Sequence, residues 1–195
     1  MRRIAPSAPL SRFILAVLAW LPVTFAVWYL AAPIILWPAV LLAEWAARAG
    51  WGGLVSAVDQ HAAIVAFTTT LKPGAVVAGG VVTVDVNALL YSFGLPMFAA
   101  LTLAAREPQR WRALALGYAA LVPAIAFGID ADFLKNIAIT AAPQVTSQAG
   151  FSAVQREAIA FAFQFGSLIL PAVAPAIAWV LTHRAFLERV RRTEA

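Results

Sequence analysis

VDVNALLYSFGLP, residues 84–96, changes character halfway along. Val84 and Val86, with Val82 before them, alternate with Thr83 and Asp85, the two-residue period of a half-buried strand. From Ala88 the chain runs without a charge to Arg106, far beyond the length of a strand. Asp85, Asn87 and Tyr91 stand at the joint, where a chain passing from a β unit into lipid exchanges one solvent for another. In hydrocarbon no water satisfies the free N–H groups of a first helical turn. Asn87 is a favoured N-cap that accepts from them, and Asp85 puts negative charge beside the positive end of the helix dipole. Tyr91, one turn in, suits the lipid–water boundary. The stretch thus reads as strand, cap and membrane helix. Its polar groups serve the helix start and also face an outer pocket.

Composition extends that reading to the whole chain. Of 195 residues, 63% are hydrophobic and 12% charged, with a mean hydropathy of +0.84. A soluble domain is about half apolar and about a quarter charged, so much of this chain is solvated by lipid. With no cysteine there is no disulfide, thiol nucleophile or thiolate metal site. His61 and His183 lie far apart in the sequence, on opposite sides of the expected membrane, which argues against imidazole ligation of a metal.

Four stretches are long enough to span: 13–32, 88–105, 113–129 and about 158–182. The first follows Arg2, Arg3 and Arg12 as a signal peptide would. However, its apolar run exceeds the usual 7–15 residues or so of a signal core, so it reads as a retained anchor. Basic residues cluster at Arg2, Arg3 and Arg12, at Arg106, Arg110 and Arg112, and at Arg184, Arg189, Arg191 and Arg192. These are ten of the 14 in the chain. The positive-inside rule puts both termini and the middle loop in the cytoplasm, as an even number of spans requires. The basic tail is then expected to meet anionic lipid head groups, and the net charge of +5 calls for no nucleic-acid partner.

The segment from 33 to 86 is expected outside. Residues 34–48, apolar, interrupted by Pro38 and carrying Trp37 and Trp45, form either a helix at the membrane surface or a kinked continuation of the first span. Ile64, Val65, Phe67 and Thr68–Thr70 favour a strand, Lys72-Pro73-Gly74 a turn, and Ala75 to Val86 one long or two short returning strands. The expected fold is an α-helical polytopic membrane protein: one membrane domain, residues 1–195, with four transmembrane helices. A small extracytoplasmic β-hairpin or sheet, residues 54–86, lies between helices 1 and 2.

After the third span, GIDADFLKN brings Asp130, Asp132 and Lys135 together as a solvated helix end. GFSAVQREAIAF then opens the fourth span, with Ser152 and Gln155 in capping-box spacing and Glu157 in the first turn. Arg156 is unfavourable at a helix start and calls for a carboxylate from Glu157, Asp130, Asp132 or Asp85. Gln164, with Ser167 three residues on, is read as an amide in hydrocarbon that wants an interhelical partner. Ala158, Ala162 and Gly166 on span four, and Ala120, Ala124 and Gly128 on span three, are small-residue stripes for close packing. No ionisable residue falls at mid-membrane, against a proton-coupled carrier.

Along nearly its whole length the sequence resembles the exosortase H-associated membrane protein family. The likeness is carried by WLPVTFAVWYLAAPI, VDVNALLYSFGLPMF, DFLK and GFSAVQREAIAFAFQFGSLILPAVAP, in that order. The resemblance implies a bacterial inner-membrane protein working beside an exosortase, an enzyme that processes proteins bearing a C-terminal sorting signal. Such an enzyme uses a cysteine nucleophile with arginine and histidine, which this chain does not supply. The expected role is therefore a non-enzymatic accessory that binds the sorting enzyme or its substrate, with no cofactor, no metal and no catalytic residue. His61, Asp85, Asn87, Tyr91, Asp130, Asp132, Lys135, Arg156 and Glu157 are its candidate outer-face residues. An enzyme built at those outer helix ends, with His61 as base, is the alternative, and a small transporter or channel subunit a third reading.

Overall fold

The computed structural model describes residues 8–73, 80–184 and 186–188. Arg2, Arg3, Gly74, the strand start expected at 75–79, and Arg189, Arg191 and Arg192 lie outside the described residues.

Two helices come first, α1 (Ala8–Leu30) and α2 (Ala32–Trp51). They are broken at Ala31, whose ψ of 12° leaves the helical range. Pro33 supplies the reason: it has no N–H for the carbonyl four residues back. Residues 34–48 thus belong to a helix separate from span one, not to an unbroken run of it. They form a separate helix that packs along α5 (Arg110–Lys135) through Leu36, Ala39, Val40, Ala43 and Ala47. The alanines keep the two backbones close.

Three strands follow: β1 (Val55–His61), β2 (Ile64–Thr69) and β3 (Thr83–Asn87), antiparallel and in that order across the sheet. The sheet therefore lies between the second and third helices, not after the first as the span count implied, because α2 is an additional helix. Its β2–β3 register sets Ala66 opposite Asp85 and Ile64 opposite Asn87. Val65, Phe67 and Val86 turn inward and are wholly buried, and Phe67 stacks on Phe133 of α5 at 4.3 Å between centroids. The hairpin tip is pinned to the α1–α2 break, where Gln60 Nε2 donates to the Pro33 carbonyl at 3.0 Å.

The sheet feeds α3 (Leu89–Ser92) and α4 (Gly94–Ala104), which packs on α1, α5 and α8. Together 89–104 is an apolar run of about 24 Å, short for a bilayer core of about 30 Å. The helices long and apolar enough to cross are Leu10–Leu30, Ala32–Trp51, Arg110–Thr140 and Ala153–Thr182. The stretch expected as span two is thus the short one, and α2, an additional helix, also meets the requirement of length and composition.

α5 also overruns its expected end at 129, continuing to Lys135 and through a π-helical turn, Asn136–Thr140. A short helix α6 (Pro143–Ala149) then leads to α7 (Ala153–Gln164), a second π turn (Phe165–Ile169) and α8 (Leu170–Thr182). Gln148 of α6 is tied to the loop after β2, accepting from the Lys72 amide and donating to its carbonyl. Phe13 of α1 meets Trp179 of α8, and Arg12 and Arg106 line one groove, so Arg12, Arg106, Arg110 and Arg112 gather at one end of the bundle. Phe133, beneath the sheet, is 23 residues along α5 from Arg110, about 34 Å away.

Candidate functional site

Where α3, α5 and α7 meet below the sheet, polar side chains converge on Asp132. The residue is 8% exposed. Its Oδ1 takes a salt bridge from Lys135 Nζ at 2.9 Å and a hydrogen bond from Asn136 Nδ2 at 3.0 Å. Helical spacing explains both contacts, since i+3 and i+4 share a face with residue i. Asn136 Nδ2 also donates to the Asp132 carbonyl at 2.9 Å. The Tyr91 hydroxyl reaches the same carboxylate from α3. Lys135 in turn lies over the Phe163 ring of α7, 4.5 Å from its centroid, so one cation joins two helices.

Close packing brings these groups together. A Cβ on Gly128 would collide with the Tyr91 ring, and one on Gly166 would come within 3.2 Å of the Gly128 Cα. Two glycines therefore let the phenol and the α7–α8 run approach α5. Beside them Ser92 Oγ donates to the Ala88 carbonyl at 3.0 Å and accepts from Trp28 Nε1 of α1 at 3.1 Å. Asp130, also 8% exposed, differs from its neighbour: its Oδ1 is buried without a hydrogen-bond partner among the described residues.

The expected outer-face residues thus separate. Tyr91, Asp132 and Lys135 form one cluster. Asp130 and Asp132 are buried, not the solvated helix end that the sequence predicts. The helix continues through them, and packing buries them under the sheet and the neighbouring helices. Asn87 accepts from the Leu89 amide at 3.1 Å, but the N-cap of α3 is Ala88, one residue later than expected, and it has no side-chain cap. Asp85 is exposed on β3, and His61 is exposed at the end of β1. Arg156 and Glu157 are exposed on α7, Glu157 one residue past its first turn. Arg156 makes no ion pair among the described residues, so the carboxylate expected for it is not supplied; Asp132 is occupied by Lys135.

The packing residues divide as well. Gln164 is exposed on the helix surface rather than buried as glue, because Gly166, the inward-facing residue, stands two residues on, about 200° round the helix. Ala158 is exposed and Ala162 half-buried, so of that stripe only Gly166 makes the close contact, and on α5 only Gly128 answers it. The capping box holds in full: Gln155 N donates to Ser152 Oγ at 3.2 Å, and Ser152 N to Gln155 Oε1 at 2.9 Å. Among the described residues no three His, Asp or Glu side chains converge as a metal-binding group.

Asn136 and Ser92 were missed. Asn136 sits four residues after Asp132, a readable pairing once the helix is extended past 129. Ser92 carries no signal of its own, because its partner Trp28 is 64 residues away.

A family model for the exosortase H-associated membrane protein matches residues 7–186 of the chain. Neither the curated proteins nor the solved structures return a match.

Proposed function

The chain belongs to the exosortase H-associated membrane protein family, and from that premise we propose that it is a non-enzymatic accessory subunit of an exosortase-type sorting system. It grips the sorting enzyme through a membrane helix rather than processing a substrate itself. The observation that carries this reading is the uncovered face of α2. Opposite its alanine stripe, Trp37 and Trp45 are 58% and 67% exposed, with Ile34 and Leu41 between and beside them. An apolar groove of about 400 Å³, lined by Trp28, Ile35, Leu95, Phe98 and Leu114, borders the start of this face. Large aromatic side chains beside a groove suit a partner helix, because packing drives association once lipid surrounds both surfaces. The Asp132 cluster holds the scaffold behind that face, with its donors and acceptors bonded to one another.

In the same proposal the sheet end faces outward and both termini lie in the cytoplasm of a bacterial inner membrane. The gathering of Arg12, Arg106, Arg110 and Arg112 at the end remote from the sheet supports this orientation.

The test is affinity purification of the tagged chain in mild detergent from its own cells, with quantitative mass spectrometry. The expected result is recovery of an exosortase in near-equal amount, reduced at least tenfold by the Trp37→Ala/Trp45→Ala pair while the chain itself stays in the membrane fraction. Recovery of the chain alone, from cells where the exosortase is present, overturns the reading.

A further inference from the structure

At the arginine end of the bundle, a groove of about 560 Å³ opens between α1 and the end of α4. Its floor and walls are apolar: Phe13 and Leu15 from α1, Ala105 after α4, and Phe186, whose ring lies 5.1 Å from that of Phe13. Two guanidinium groups, Arg12 and Arg106, come to it from elements far apart in sequence. Both residues are exposed, and neither side chain makes an ion pair among the described residues. Two exposed cations over an apolar trough are complementary to an anion that carries hydrocarbon.

The backbone at Arg106 adds an independent observation. Its φ is +51°, the left-handed conformation found just past helix ends, where glycine is strongly preferred. An arginine here pays a steric cost that glycine does not, so local structure alone gives no reason for the side chain. The other groove at this end contrasts with it. There the one arginine, Arg112, shares the lining with an acid, Glu107.

We propose that the Arg12–Arg106 groove is a binding site for one anionic phospholipid, with the phosphodiester held between the two guanidinium groups and an acyl chain laid along Phe13 and Leu15. Arginine presents planar, always-charged donors suited to phosphate oxygens. Its aliphatic stem covers the apolar wall while the head stays at the interface.

The purified full-length chain, in mild detergent, is titrated with phosphatidylglycerol or phosphatidylcholine and read by native mass spectrometry. One phosphatidylglycerol is expected to be retained preferentially, with an affinity that falls as salt rises. The Arg12→Gln/Arg106→Gln pair is expected to weaken it roughly 30-fold, from the usual contribution of two interfacial basic residues. Arg112→Gln, which removes the same kind of charge nearby, leaves it unchanged. Arg106→Gly separates ligand binding from folding: its thermal midpoint without lipid equals or exceeds that of the parent, yet phosphatidylglycerol is lost. Equal retention of phosphatidylcholine, or equal losses in the Arg112 and Arg12/Arg106 variants, overturns the site. So does full displacement of the lipid by millimolar inorganic phosphate, which would make free phosphate the ligand.

Discussion

Asp132 shows what a buried charge requires. Its carboxylate sits below the sheet with Lys135, Asn136 and Tyr91 as partners, so its ionised form is compensated on several sides. Removing one partner from such a group costs more than the pair is worth against an apolar replacement, because the remaining charge is stranded. Asp132→Ala, which strands Lys135, is therefore expected to destabilise the protein by about 3 kcal/mol. Tyr91→Phe, which removes one of several hydrogen bonds, is expected to cost about 1 kcal/mol. Thermal unfolding in detergent, followed by tryptophan fluorescence, measures both, and equal midpoints for the two variants would mean that Asp132 does not organise the cluster. Among the described residues Asp130 Oδ1 has no such partner, and burying it in that state costs free energy.

Among the elements, the sheet depends most on its support. Three short strands with one wet face are marginal alone, and here the dry face rests on α5. Phe67 is the contact that seats it, wholly buried and stacked on Phe133. Phe67→Ala is expected to cost about 3–5 kcal/mol and to free the β unit before the bundle melts. Hydrogen exchange is the measurement: amides of β2 and β3 should lose protection while those of α8 keep theirs. Uniform loss would mean that sheet and bundle unfold as one unit. The local sequence carried part of this element well. Val82, Val84 and Val86 announced β3, and Thr68 with Phe67 announced β2. Strand β1 was not announced, because VSAVDQH carries polar residues through its second half and is ordered by pairing with β2, from Val55–Thr69 to His61–Ile64.

At the scale of the molecule, the arrangement of charge predicts how the chain lies in the bilayer. Because it has no cysteine, single substitutions at exposed His61 and Gln109 report the two ends separately. A membrane-impermeant maleimide is expected to label His61→Cys in intact spheroplasts and Gln109→Cys only after permeabilisation. The reverse pattern would invert the proposed orientation. What the sequence by itself determined are the properties set by neighbours along the chain. These are the apolar helices, the strand-to-helix joint at Asn87, the Ser152–Gln155 capping box and the clusters of arginine, all governed by local propensity, local hydrogen bonds and the cost of charge in lipid. Tertiary structure alone decided which polar groups are inside. Asp130, Asp132 and Lys135 read as a solvated helix end because isolated charges are costly in hydrocarbon. Asp132, Lys135 and Asn136 lie on one helix face, but Tyr91 and Phe163 arrive from elsewhere, and Gly128 and Gly166 make room for that approach. Gln164 lies on the surface for the complementary reason: packing selects one face of a helix, and Gly166, nearly opposite Gln164, is on that face. Solvation is a property of the surroundings, and distant segments supply those surroundings only when the chain has folded.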